Sequence, residues 1–330
     1  MEVDVKKIIG LVFITLLAFL LAACGGETEE GKSDLIRIGF AQVGAESDWR
    51  KANTKNMEET FTEAAGYELQ LVICEEKHEK QLEAVSEFIT QEVDYIIVAA
   101  VSETGWDQVL SDAKDANIPV ILMDRMIDTS RDNWVAWTGG NFLEEGQKAM
   151  AWLEVFLEEQ GKADTKMNIL HMQGQIQSSA QLGRTQGIEE GIENNNNWTL
   201  LAQKEADFKK DKGQEVMEQW LELYRETENL VLIAENDNMA YGAIEAMQAK
   251  GIEPGKDIYI ISFDSSKEAL QKVIDGELNC TVECNPLLAK AVEGIIQQLE
   301  MGVTPNKEQY VTEELFDIKN AAERLDTRQF

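Results

Sequence analysis

Four short polar clusters follow apolar runs in this chain, and their residue types are those that make directional hydrogen bonds. Gly44-Ala45-Glu46-Ser47-Asp48-Trp49-Arg50 comes after Ile36-Arg37-Ile38-Gly39-Phe40, and Asp124-Arg125 ends Ile118-Pro119-Val120-Ile121-Leu122-Met123. Glu235-Asn236-Asp237-Asn238 follows Leu230-Val231-Leu232-Ile233-Ala234, and Ser262-Phe263-Asp264-Ser265 completes the run begun at Ile258-Tyr259-Ile260-Ile261. Taken singly, each acid reads as a helix N-cap, whose oxygen accepts from the free N–H groups of a first turn. Capping accounts for Ser47 and Asp48. It does not account for Trp49-Arg50, an aromatic and a cation at a strand-to-helix turn. Taken together, the four clusters read as a cleft lined with Asp, Asn and Arg. Carboxylates, amides and guanidinium groups satisfy adjacent hydroxyls, partly in bidentate fashion. An aromatic such as Trp49 or Phe208 can cover the C–H face of a sugar ring. A hydroxyl left unmatched in a closed site is costly, so such a site discriminates among polyols.

Other chemistries find less support. A nucleotide would call for a glycine-rich loop between a strand and a helix, and none of these strand ends carries one. No nucleophile elbow, HExxH, CxxC pair or His-x-His grouping is present, and His78 and His171 are isolated, so neither a metal nor a cofactor is expected. His171 sits within an apolar run and reads as structural. Cys280 and Cys284 would lie roughly 13 Å apart in a strand, beyond disulfide reach; with Cys74 they read as small buried thiols. A retaining glycosidase needs two carboxyl groups about 5 Å apart, one of them with a raised pKa. Here each candidate acid has an Arg or Asn neighbour expected to hold its pKa low, so no enzyme is expected.

The elements that must position these clusters alternate regularly from Leu35 onward. Strand-like runs at Ile36–Phe40, Leu69–Ile73, Tyr95–Ala99 and Ile118–Met123 are separated by helical stretches. One helix covers about Trp49 to Ala65, another runs from Gln81 to Gln91, and a third carries Trp106, Val109, Leu110 and Ala113 at helical spacing. The rhythm restarts after Trp134–Thr138. Strands follow at Met167–Met172, Leu200–Lys204, Leu230–Ala234 and Ile258–Phe263, with a helix over Gln181–Glu193 that Asn194–Asn197 terminate. Such βαβ repetition implies parallel sheets with right-handed crossovers, and in these sheets ligands sit beyond the carboxyl ends of the strands. The expected fold is α/β: two similar lobes, each a parallel sheet flanked by helices, with the cleft between them. No Pro- or Ser-rich linker divides the chain, which allows several segments to connect the lobes.

A length of 330 residues fits two domains. With 30 basic against 61 acidic residues the net charge is −31, which repels phosphate backbones and argues against nucleic acid as a partner. Lys6-Lys7 ahead of the apolar run Ile8–Ala23 suits a secretory signal peptide, residues 1–23. Leu21-Ala22-Ala23-Cys24 resembles the lipobox of bacterial lipoproteins, which implies cleavage before Cys24 and its lipidation. Residues 24–34, rich in Gly and Glu, read as a flexible tether. The protein is then expected outside the cytoplasm, held by lipid at the cell membrane.

From Ile36 to about Ile318 the chain resembles the type I periplasmic-binding-protein family, the sugar receptors of ABC importers, and within it the galactofuranose/galactose-type members. The motifs that carry the likeness are Ile38–Arg50, Pro119–Arg125, Asn236-Asp237-Asn238-Met239-Ala240 and Ser262-Phe263-Asp264. The resemblance implies a monosaccharide held between two closing lobes and delivered to a permease and ATPase, by a monomer. It assigns Trp49, Arg50, Asp124 and Arg125 to sugar contacts from the first lobe. From the second it assigns Arg184, in the segment after Met172, with Phe208, Asn236 and Asp264. Ribose-type members carry a glutamine where Cys284 stands, which leaves Glu283 or Asn285 to take that part. The resemblance also implies a first lobe of residues 35–138 plus 285–308, and a second of 139–284 plus 309–330. An alternative within the same fold is a sugar sensor that docks on a membrane chemoreceptor or histidine kinase. A LacI-type regulator would need a basic helix-turn-helix where this chain has its apolar leader.

Overall fold

The computed structural model describes residues 35–330; the expected signal peptide, lipidated Cys24 and tether, residues 1–34, lie outside the described residues. Among the described residues no helix is long and apolar enough to cross a membrane. The chain begins β1 (Ile36–Gln42), α1 (Asp48–Thr60), β2 (Tyr67–Ile73), α2 (His78–Thr90), β3 (Tyr95–Val98), α3 (Asp107–Asp115), β4 (Val120–Met123) and β5 (Ala136–Gly139). The second half runs α4 (Phe142–Glu159), β6 (Met167–Gln173), α5 (Ser179–Glu193), β7 (Trp198–Glu205), α6 (Lys210–Leu223), β8 (Leu230–Ala234), α7 (Asp237–Ala249), β9 (Ile258–Asp264), α8 (Lys267–Asp275) and β10 (Cys280–Glu283). The last elements are α9 (Ala289–Glu300), β11 (Glu308–Tyr310), β12 (Leu315–Asp317) and α10 (Ala321–Leu325).

These strands make two six-stranded sheets, ordered β11-β5-β4-β3-β1-β2 and β12-β10-β9-β8-β6-β7. The β12–β10 pairing is antiparallel; the others are parallel. Helices cover both faces, which is why β3, β4 and β8 read as unbroken apolar runs: every residue in them is buried. In the first sheet Phe40, Met57, Ile97 and Ile295 fill one face, and Phe88, Trp106, Leu110 and Leu122 the other. Each such side chain contributes about 1.5–3 kcal/mol by leaving water.

The chain passes between the sheets three times: from β5 into α4, from β10 into α9, and from β11 into β12. The third passage differs from expectation. Glu308–Tyr310 pairs with Trp137–Gly139 in the first sheet, so a boundary at residue 309 would cut a strand, and this segment adds only β12 to the second sheet. The short polar run Glu308-Gln309-Tyr310 carries no apolar pattern, because an edge strand held mainly by its ladder needs none.

The crossing of α6 with α7 matters most for the cleft. Gly213 and Gly242 let the two backbones touch: a Cβ on Gly213 would stand 2.5 Å from the Met239 carbonyl oxygen, and one on Gly242 would overlap the Lys210 carbonyl. Phe208 lies just ahead of α6 and Asn236 caps α7, so this contact sets the two side by side; the Asn236 amide donates to the Phe208 carbonyl at 3.0 Å. Gly242→Ala is expected to lower stability by about 1–3 kcal/mol through overpacking, read as a lower urea midpoint. An unchanged midpoint would show that the helices can part freely.

Candidate functional site

The carboxyl ends of the two sheets face each other across a narrow cavity with about 30 Å³ of free volume. It is lined by Trp49, Arg50, Asp124, Arg125, Arg184, Phe208, Asn236 and Asp264, eight of the ten sugar-contact candidates from the sequence. Glu46, Ser47, Phe142, Ala180 and Cys284 complete the wall. Ser47 caps α1 by accepting from the Arg50 N–H at 3.1 Å, which presents Trp49 and Arg50 on the first turn. Arg184 lies on the second turn of α5, within the helix expected over Gln181–Glu193. Phe208 packs where a Cβ on Gly174 would be, so only glycine fits there.

Asp124 and Asp264 each end a strand in the left-handed region, with φ of 63° and 101°. A non-glycine residue pays about 1–3 kcal/mol for such backbone, and it persists where the surroundings force it. In both cases the turn places the carboxyl in the cavity wall instead of along the strand.

Three guanidinium groups are buried here, and each has a carboxylate close by. Arg50 Nη2 lies 2.8 Å from Asp124 Oδ2, and its Nε donates to Glu46 Oε1 at 3.1 Å. Arg125 Nη2 is 4.0 Å from Glu46, and its Nη1 donates to Gln175 Oε1 at 2.8 Å. Arg184 Nε donates to Glu145 Oε2 at 2.7 Å, its Nη1 to the Glu235 carbonyl at 2.5 Å, and its Nη2 stands 3.7 Å from Asp264. Burial pushes the Glu46 carboxyl up, but Arg50 and Arg125 outweigh it and hold the group below its usual range. Burial, aided by Arg50, lowers Arg125 to about 10. Three buried polar atoms of this set have no hydrogen-bond partner among the described residues: Glu46 Oε2 and Glu145 Oε1, both acceptors, and Arg125 Nε, a donor.

At Asp264 the expected low pKa is reversed. Burial drives its carboxyl well above the ordinary value, and Arg184, at 3.7 Å, does not offset that cost. The neighbouring Asp237 is pushed up to about 6 by burial, against hydrogen bonds from Ser262, Ser266 and Thr281. It anchors the β9–α8 turn rather than lining the cavity.

Glu283 and Asn285 leave the cleft. Side chains alternate along an extended segment, so if Cys284 lines the cavity its two neighbours point the other way. Glu283 accepts from Arg328 Nη1 at 2.6 Å and from the Glu314 N–H at 2.9 Å, while Asn285 Oδ1 accepts from the Leu287 N–H at 2.9 Å. Both belong to a separate recess beside the C-terminal tail. Glu46 and Phe142 escaped the candidate set. Glu46 had a legible signal, since it falls in the same strand-end cluster as Arg50; Phe142, opening α4, had none. Cys74, Cys280 and Cys284 are all buried, and no disulfide joins them among the described residues. His171 is fully buried between Glu235 and Gln203, at 2.9 and 3.0 Å, as a structural residue. The spacing GxxxxGKS does occur at Gly26–Ser33, ahead of the first strand and outside the described residues.

Contacts between the two sheets' loops close the cavity. Asp48 and Asn238 exchange two hydrogen bonds, of 3.0 and 2.9 Å. Lys209 reaches Glu76 at 2.6 Å, the Met126 N–H donates to Ser179 Oγ at 2.9 Å, and Trp49 Nε1 donates to the Cys284 carbonyl at 2.7 Å. Separation of the lobes would break this set together, so the arrangement can trap a small polar molecule away from water.

Known proteins share this architecture. The galactofuranose-binding protein of Escherichia coli is 35% identical over 298 residues, covering 89% of this chain and 92% of that protein. A crystal structure of a Mycobacterium smegmatis protein in complex with β-D-fucofuranose is 37% identical with a TM-score of 0.83, covering 88% of this chain and 94% of that one. The binding component of the arabinose ABC transporter from Shewanella, bound to α- and β-L-arabinofuranose, is 33% identical with a TM-score of 0.83 over 89% and 95% of the two chains. The family described as periplasmic binding protein domain matches residues 38–292, and this chain belongs to it.

Proposed function

We propose that this protein is an extracytoplasmic, lipid-anchored receptor that binds one neutral monosaccharide in its furanose form and delivers it, as a monomer, to an ABC permease. The observation that carries the reading is the unpaired acceptor and donor, Glu46 Oε2 and Arg125 Nε, in the wall of a closed cavity whose arginines are already matched by carboxylates. An anion would unbalance that wall. A hydroxyl, which donates and accepts at once, satisfies both atoms. The free volume of about 30 Å³ is room for a water molecule or two, so in this reading the lobes settle wider around a single sugar ring than they stand here.

The relatives narrow the ring. Galactofuranose, fucofuranose and L-arabinofuranose share one arrangement of ring hydroxyls and differ at the exocyclic carbon. In this reading Arg50, Arg125 and Arg184 donate to the ring hydroxyls, Asp124 and Asp264 face them, and Asn236 adds an amide. Phe208 and Trp49 flank the ring. The Arg125 guanidinium lies over Phe208 at 5.5 Å and the Arg50 guanidinium over Trp49 at 4.6 Å, so cations and rings brace one another.

Binding is read by the rise in melting temperature with added sugar, since a ligand of the folded state alone stabilises by mass action. D-Galactose, L-arabinose and D-fucose should raise it. Methyl galactopyranosides, locked in the six-membered ring, should not, and a shift with these alone would reject the furanose reading. Arg125→Ala and Asp264→Ala should each weaken binding by about 2 kcal/mol or more, because buried partners lose their match. Unchanged affinity in both would remove the site. Glu283→Gln should leave affinity intact yet lower stability, since it strips the Arg328 guanidinium of its carboxylate. Cys24→Ser should release the protein from membranes without changing affinity, and continued membrane association would reject the lipid anchor.

A further inference from the structure

The three passages between the sheets converge on side chains that the binding reading does not use. Glu145 from the first turn of α4, Cys284 from the second passage and Glu313 from the third bring carboxylate oxygens and a thiol within 4.8 Å of one another. Gly140, on the first passage, closes the group: a Cβ there would stand 2.5 Å from Glu313 Oε1 and 2.7 Å from Glu145 Oε1. Glu145 is fully buried and Glu313 is 8% exposed.

Two bare carboxylates cannot share such a place at ordinary cost, because burial and like charge both oppose the second ionisation. Glu145 spends one oxygen on Arg184 Nε at 2.7 Å; its other, Oε1, has no donor among the described residues. Glu313 Oε1 accepts from the Asn285 N–H at 3.1 Å. The surrounding charges do not remove the conflict. Lys148, one turn along α4, gives its ammonium to the Glu313 backbone carbonyl and to Glu144, not to the pair. Arg184 on α5 is the cation that faces the pair, while the carboxyls of Asp124 beyond β4 and Asp264 on β9 also stand near Glu145 and Arg184. Cys284 is kept as a neutral thiol by its burial and by both glutamates.

We propose that Glu145 and Glu313 share a single proton where the three passages meet, which leaves one charge to hold Arg184 against the cleft, and that loss of this proton in alkaline solution loosens the closed form. Glu313 carries the proton: burial, then Glu145, pushes its carboxyl up to about 10. The folded protein therefore retains a proton that the unfolded chain releases near the ordinary glutamate value of about 4.3. Stability falls as pH rises between those two values, at the slope of one proton.

The test of the proton uses the purified protein without sugar, so its outcome is independent of the ligand reading. Melting temperature is followed from pH 6 to 9 in the wild type and in Glu313→Gln, whose amide is neutral at every pH. The variant should lose heat stability less steeply with pH and melt above the wild type at pH 9. Infrared difference spectra at pH 8 should show a weaker buried protonated-carboxyl band in the variant than in the wild type. If Glu313→Gln does not fold, Glu145→Gln removes the like-charge partner and should flatten the pH dependence in the same way. Parallel melting curves, an unchanged band, or a stoichiometric metal ion in the purified protein would overturn the shared proton. The effect on closure rests on the sugar reading and is measured separately. The dissociation constant for D-galactose should rise at least threefold from pH 7 to 9.5 in the wild type and less in the variant. Equal rises would overturn the link to closure while leaving the proton standing.

Discussion

The structure depends on balancing three guanidinium groups out of water. Moving one such ion into a protein interior costs several kcal/mol even after relaxation, and a pair repays that cost only with close geometry and further hydrogen bonds. Arg50 meets this condition through Asp124 and Glu46, and Arg184 through Glu145 and the Glu235 carbonyl. Arg125 meets it least well, with its nearest carboxylate at 4.0 Å and no partner for Nε among the described residues, and burial depresses it accordingly. The least satisfied cation is thus where a ligand has most to offer. Much of the wall exists to hold these charges in place before any ligand arrives.

That demand reaches into the fold. Carboxylates are brought to the cavity by strand ends in left-handed backbone at Asp124 and Asp264, a conformation the sheets on either side hold in place. Glycine contacts between α6 and α7 fix Phe208 beside Asn236. A rigid scaffold with reversible contacts across its opening, such as Asp48 with Asn238, provides the two states that capture and release require.

Much of this was legible in the sequence, for identifiable reasons. Doubly covered strands write themselves as apolar runs, so the βαβ rhythm and the polar clusters at strand ends could be read directly. Resemblance then tied Arg184 and Phe208 to the same cleft, which no local pattern could do. What escaped was set by geometry at single residues. Glu283 and Asn285 fell on the wrong side because side-chain alternation fixes which of three consecutive residues faces inward, and composition cannot. Asp264 ran against its expected pKa because an arginine 3.7 Å away offsets burial less than a sequence neighbour suggests. The Glu145–Glu313 contact joins residues 168 positions apart along the chain, beyond any local reading.

The most direct test of the account is a calorimetric comparison of D-galactose with D-galacturonate, which carries similar hydroxyls and one added negative charge. A charge-balanced cavity should bind the neutral sugar and take the anion at least about tenfold more weakly, a difference of about 1.4 kcal/mol. Equal or tighter binding of galacturonate would mean that the arginines carry a surplus of positive charge, and the balance on which this account rests would not exist.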